Sequence, residues 1–141
     1  MDFKFIFAGK SKDDFIKSGI EKYKKILKKY GNIEISEPKD STEKILNQVR
    51  KNSFVILLDL KGKEFSSEDM AKLFLKWKDS GIFRFDIVSG GAFGFDNKIY
   101  EKSNFIWKLS KLTFNHQIVR LVVLEQIYRI MSILNNEKYH H

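Results

Sequence analysis

A chain of 141 residues is long enough to enclose one hydrophobic core and too short for two. Hydrophobic residues make up 43% of it and thirteen are Phe, which excludes a disordered chain, and the absence of Cys excludes a disulfide framework, a thiolate nucleophile and a Cys-based metal site. The 26 Lys and Arg against 18 Asp and Glu leave a formal charge of +8, which favours a polyanionic partner through attraction and counterion release.

The opening MDFKFIFAGKSKDDF has too short an apolar core for a signal peptide, and no run approaches a membrane span. The expectation is a single domain over residues 1–141, soluble and cytoplasmic. Residues 3–8 alternate apolar and other side chains and end at Gly9, the pattern of a strand running into a turn. From Asp13 or Asp14 as N-cap, the spacing of Ile16, Ile20, Tyr23, Leu27 and Tyr30 predicts a helix stopped by Gly31. Lys22, Lys24, Lys25, Lys28 and Lys29 crowd this helix, either as a polyanion-binding face or as a solvated one.

Residues 33–37 form a second strand, ended by Pro38, the chain's one proline. Asp40 to Glu43 resembles a capping box and opens a helix carrying Ile45, Leu46 and Val49. FVILLDL, residues 54–60, is apolar almost throughout, as expected of the central parallel strand covered on both faces. Gly62 marks the turn after it, and Ser66 or Ser67 caps a helix with Met70, Leu73, Phe74 and Trp77 on one face. A strand over 83–89 runs into Gly90-Gly91-Ala92-Phe93-Gly94, a short helix covers 97–102, and 105–110 is the last strand. The final helix, from about His116 to Asn135, is apolar over too much of its circumference to pack on one side only. A second copy of the chain is the economical cover for it, with burial inside one subunit as the alternative.

The expected class is therefore α/β, a mostly parallel sheet flanked by helices, and such sheets bind ligands at the carboxyl ends of their strands. Three strand ends carry suggestive residues: Leu58-Asp59, Ser89 to Gly94, and Leu109 to Asn115. GGAFG permits close backbone approach but is neither GxGxxG nor a Walker A loop, and a tight strand-to-helix turn explains it equally. LSKLTFN offers polar groups amid apolar ones, suited to a flat heterocycle, or is an ordinary connection capped by Thr113 or Asn115. His116, Arg120 and Arg129 would make a positive edge, with Glu125 and Arg129 spaced for an intrahelical ion pair. There is no HExxH, GxSxG, paired-carboxylate or metal-ligand spacing, and no metal is expected; His140-His141 reads as a metal pair or a tag remnant.

GGAFG, LSKLTFNHQIVRLVVLEQIYRIMSILN and the terminal EKYHH together resemble the ribosomal RNA large-subunit methyltransferase H family of the SPOUT superfamily, along essentially the whole chain. The resemblance implies a SPOUT-type α/β fold with a C-terminal trefoil knot, S-adenosyl-L-methionine as cofactor, and a homodimer whose active site lies at the interface. It implies that the substrate is N3 of a pseudouridine in 23S rRNA within the ribosome. By motif, cofactor contacts fall on Leu58, Gly90, Leu109, Ser110, Lys111, Leu112, Thr113 and Phe114. His140 is the candidate for substrate engagement or proton handling, with Tyr139 positioning it, and His116 and Arg120 are further catalytic candidates. Lys24, Lys28, Lys29 and Arg129 are candidate RNA contacts. The chain departs from the family in having Asn115 for Pro, Ala92 for Pro or Ser, and a shorter stretch around Pro38–Thr42. A non-catalytic RNA-binding protein of this fold and a SPOUT enzyme acting on a tRNA base are the alternatives, separable by S-adenosylmethionine binding and by the modified base.

Overall fold

Alternate apolar side chains on strand β1 (Asp2–Phe7) feed two separate cores, because successive residues of a strand face opposite sides of a sheet. Phe3, Phe5 and Phe7 point into one core, and Ile6 with Ala8 into the other. The computed structural model describes residues 1–139; His140 and His141 lie outside the described residues. Helix α1 spans Asp14–Leu27, and a single 3-10 turn, Lys28–Tyr30, leads into β2 (Asn32–Ser36). There follow α2 (Thr42–Gln48), β3 (Phe54–Glu64), α3 (Ser67–Asp79), β4 (Arg84–Ser89), α4 (Asn97–Lys102), β5 (Phe105–Lys108) and α5 (His116–Leu134).

The five strands form one all-parallel sheet in the order β2-β1-β4-β3-β5. On one face, α1 and α3 pack against α5 over the larger core, which includes Phe74, Phe85, Ile87, Trp107 and Ile127. On the other, Ile45 of α2 and Ile99 of α4 cover Ile6, Val55, Leu57 and Val88. Most helix starts follow side-chain chemistry, although Asp13 ahead of α1 makes no side-chain cap and α2 is capped by Ser41 rather than by a box opened at Asp40. The hydroxyl of Ser41 accepts from the Lys44 backbone N–H, that of Ser66 from Asp69, and the Asp96 carboxylate accepts from Lys98 and Ile99, satisfying N–H groups that a helix leaves without partners.

Two expectations need correction, and the basis of a third changes. The centre of the sheet is β4, with β3 one place outward between β4 and β5. A charge disguised this centre: Asp86 of β4 is fully buried, and Arg50 neutralises it, donating its backbone N–H at 2.7 Å and Nε at 2.8 Å to the carboxylate. Gly62 is not a turn after β3 but part of a longer strand. Both Leu58 and Lys63 register with Trp107, so residues 59–62 bulge outward, and a Cβ on Gly62 would lie 2.4 Å from the Ile106 carbonyl oxygen. Last, much of the apolar circumference of α5 is consumed within the chain, since α5 lies between α1 and α3 and no residue from His116 to Leu134 is fully exposed. Apolarity alone therefore does not demand a second copy.

Candidate active site

Because β4, β3 and β5 are neighbours and parallel, the loops after them leave the sheet on the same side, where they enclose a cleft of about 290 Å³. Leu58 from β3, Gly90 after β4, and Leu109, Ser110, Leu112, Thr113 and Phe114 after β5 all line it. Of the eight residues expected to contact cofactor, only Lys111 is not a wall residue; it is exposed between Ser110 and Leu112. Asp59, Trp107 and His116 also line it, where the strands and α5 meet.

Glycines make the second wall. Gly94 N–H donates to the Gly91 carbonyl at 3.3 Å, closing a tight turn with Ala92 and Phe93 at its tip and Gly94 at φ +75. A Cβ on Gly91 would fall 2.0 Å from the Asp40 carboxylate, and one on Gly90 would meet the Phe95 ring at 3.3 Å. The segment after Pro38 thus packs directly behind the glycine loop. In the third wall, Leu112 N–H donates to Ser110 Oγ at 2.9 Å. Asn115 caps α5 by accepting from Gln117 N–H at 2.8 Å. Gln117 then donates to the Lys10 carbonyl and accepts from Lys12 N–H, tying the loop after β1 to the start of α5. Apolar walls with backbone polar groups at their edges suit a flat heterocycle.

One constellation at the cleft has no sequence signature. The Tyr100 hydroxyl donates to Asp59, and Lys61 Nζ lies 4.3 Å from the Tyr100 ring centroid. Burial, reinforced by the Asp59 carboxylate, pushes Tyr100 up to about 12. The signal at Asp59 was an acid ending an apolar strand; nothing marked Tyr100, which arrives on a short helix forty-one residues later.

Arg120 departs from expectation. Rather than forming a positive edge or facing a substrate, it is 0% exposed, donating to the Ala8 carbonyl at 2.8 Å and to Ser11 Oγ at 2.9 Å. Glu37 lies 3.4 Å away and the Phe7 ring beneath. Burial lowers its pKa, opposed by the charge of Glu37. It fastens the ends of β1 and β2 to α5, out of reach of RNA in this chain. By contrast His116, the one histidine among the described residues, is half-buried in the cleft wall.

The tail and the basic helix are linked. Tyr139 donates to Glu125 at 2.9 Å, stacks on Tyr128 at 4.2 Å between centroids, and has Arg129 4.9 Å from its ring centroid. Burial, then the Glu125 hydrogen bond, pushes Tyr139 up to about 12. Glu125 and Arg129 form the expected ion pair at 2.8 Å. Lys29 is engaged by Glu137 at 2.6 Å, with Tyr30 donating to the same carboxylate; Lys28 is exposed and Lys24 half-buried. Since α5 rises about 1.5 Å per residue, Glu125 sits roughly 14 Å along the helix from His116, so Tyr139 does not line the cleft of its own chain.

Among the described residues, no group of three or more His, Asp or Glu is placed to hold a metal ion, and no helix is long and apolar enough to cross a membrane.

Residues 1–140 match the family model described as "Predicted SPOUT methyltransferase". The ribosomal RNA large subunit methyltransferase H of Natranaerobius thermophilus is 34% identical over 159 residues, covering 100% of both chains. That of Dictyoglomus thermophilum is 38% identical over 153 residues, again covering 100% of both, and that of Christiangramia forsetii 43% over 116 residues, 82% of this chain and 74% of the other. The structure of a "probable methylase family protein" from Haemophilus influenzae Rd KW20 superposes with a TM-score of 0.58 over 99% of this chain and 70% of that one. At 14% identity, that likeness speaks for the fold alone.

Proposed function

The chain belongs to the SPOUT methyltransferase family, and from that premise we propose that it is an S-adenosyl-L-methionine-dependent enzyme methylating N3 of pseudouridine 1915 in 23S rRNA of the assembled ribosome. The observation that carries this reading is the convergence of three strand-end loops on one cleft. Its chemistry fits the cofactor: Leu58, Leu109, Leu112 and Phe114 offer apolar surface to an adenine, the loop 109–114 offers backbone hydrogen-bonding groups, and Gly90 and Gly91 leave the facing wall without side chains. The same membership supports one domain, a C-terminal trefoil knot and a cytoplasmic setting.

When bound, the cofactor supplies an electrophilic methyl group. The protein's own work is to align the pseudouridine with it and to remove one proton, because the ring N3–H is a weak acid that must be lost as N3 is alkylated. His140 is the proposed acceptor, next in sequence to Tyr139, whose raised pKa keeps it a neutral donor rather than a base. His116 on the cleft wall is the second candidate. The separation of Tyr139 from its own cleft supports a homodimer in which the tail of one copy serves the cleft of the other. Lys24, Lys28 and Arg129 are the proposed phosphate contacts, and no metal is invoked.

Mass spectrometry of 23S rRNA from cells with and without the gene tests the reading. N3-methylpseudouridine should vanish without the gene; its persistence refutes the assignment. Calorimetry with S-adenosylmethionine should detect binding, and none would favour a non-catalytic RNA-binding protein.

A further inference from the structure

The most exposed large apolar side chain among the described residues is Phe93, 97% accessible at the tip of the tight turn between Gly91 and Gly94. A phenyl ring in open water is unfavourable, and turn tips ordinarily carry Gly, Asn, Asp or Ser. The ring contributes nothing to either core, and its neighbours Ala92 and Gly94 both line the cleft. Two further exposed apolar residues are cleft residues themselves, Leu112 at 70% and Leu60 at 58% exposed. Three solvent-facing apolar groups, one on each wall, therefore rim the mouth of the same cavity.

The charges around that rim identify what covers it. Lys108 lines the cleft, Lys111 projects from the third wall, and Lys61 follows Leu60. The nearby acids keep their charge but are turned to donors within the chain: Asp59 accepts from Tyr100, and Asp96 accepts from Thr42 and the first backbone N–H groups of α4, while Asp40 stands behind Gly91. An aromatic face among lysines is the arrangement that binds unpaired nucleotides, bases stacking on the ring while ammonium groups meet the phosphates. Stacking is worthwhile here because a target base cannot enter a cleft of this size while paired within a helix.

Resting on the proposed rRNA methylation, we infer that Phe93 is a substrate-positioning residue: its ring stacks on an unpaired RNA base at the cleft mouth, either the target pseudouridine or its neighbour, with Lys108 and Lys111 on the flanking phosphates. The ring is not required to bind cofactor or to hold the fold.

The test compares Phe93→Ala and Phe93→Trp with the parent protein, using intact ribosomes carrying unmodified 23S rRNA. Phe93→Ala should raise the KM for ribosomes by roughly ten- to a hundredfold, the contribution of one stacked base, while S-adenosylmethionine affinity and Tm stay unchanged. Phe93→Trp should retain activity, and its added emission should be quenched by ribosomes in cofactor-saturated protein, beyond any change of Trp77 and Trp107 in the parent. An unchanged KM for Phe93→Ala together with no quenching in Phe93→Trp overturns the inference. So does weakened self-association with an unchanged KM, which would mean that a second copy covers the ring. If the parent protein methylates nothing, the functional reading fails, yet the quenching still decides whether Phe93 meets RNA.

Discussion

Replacing Arg120 separates the two roles that its position permits. The guanidinium is fully buried and spans the Ala8 carbonyl, Ser11 Oγ and Glu37, so Arg120→Ala strands the buried Ala8 oxygen and opens a cavity over Phe7. An unsatisfied buried acceptor costs about 1–3 kcal/mol, and deletion of a long buried side chain costs about 2–5 kcal/mol. These losses are partly offset because Nε of Arg120 has no partner and Glu37 is partly exposed and can turn to solvent. A net loss of about 3–5 kcal/mol is expected, which for a chain of this size lowers Tm by roughly 10–15 °C. Arg120→Met keeps the volume and should lose only about 1–2 kcal/mol. Thermal unfolding by circular dichroism measures both, and the salt dependence of ribosome binding is measured in parallel. An unaltered Tm combined with a salt slope flattened by one phosphate contact would show that Arg120 reaches RNA and that its burial has been misread.

Gly91→Ala should weaken S-adenosylmethionine binding about ten- to a hundredfold by displacing the glycine wall, and adding Asp40→Ala, which removes the clashing carboxylate, should restore it in calorimetry. Tyr100 is raised from 10.0 to about 12, so its neutral phenol favours the fold fully below pH 10 and that contribution is lost as pH rises through about 12. Tyr100→Phe should reduce the alkaline dependence and remove one of the two late ionisations in the tyrosinate absorbance titration, Tyr139 supplying the other, whereas five tyrosines ionising together near 10 would contradict the Asp59 contact. Lys24→Glu with Lys28→Glu should weaken ribosome binding at low salt and flatten its salt slope; Lys29 is left intact because it holds Glu137. Deleting Tyr139–His141 should leave cofactor binding intact and abolish methylation, and full turnover by the truncated protein would remove the tail from the mechanism.

Local signals carried the elements well. Serine caps, terminal glycines and the alternation of Phe3, Phe5 and Phe7 act over a few residues and can be read one window at a time. The three cleft walls were legible too, because parallel strands direct their following loops to one side. What a window cannot hold is pairing at long range. The Arg50 that neutralises Asp86 lies 36 residues away, and Arg120 reads as a surface cation until Ala8, Ser11 and Glu37 close around it, up to 112 residues away in sequence. The same limit hid Tyr100 from Asp59. Phe93 stood in plain sight as an aromatic in a glycine loop, and only its exposure distinguishes it from one more core phenylalanine.

The outward step in β3 gives the cleft an adjustable lip. Because Leu58 and Lys63 return to the same partner, Trp107, the four residues between them are a detour that the sheet does not measure. Residues can be added or exchanged along that detour without sliding β3 against β5, as long as Gly62 keeps its close passage over Ile106. The strand that anchors the binding floor and the segment that shapes its rim are thus mechanically uncoupled, so the aperture can be altered for a bulkier cofactor analogue while the core keeps its register.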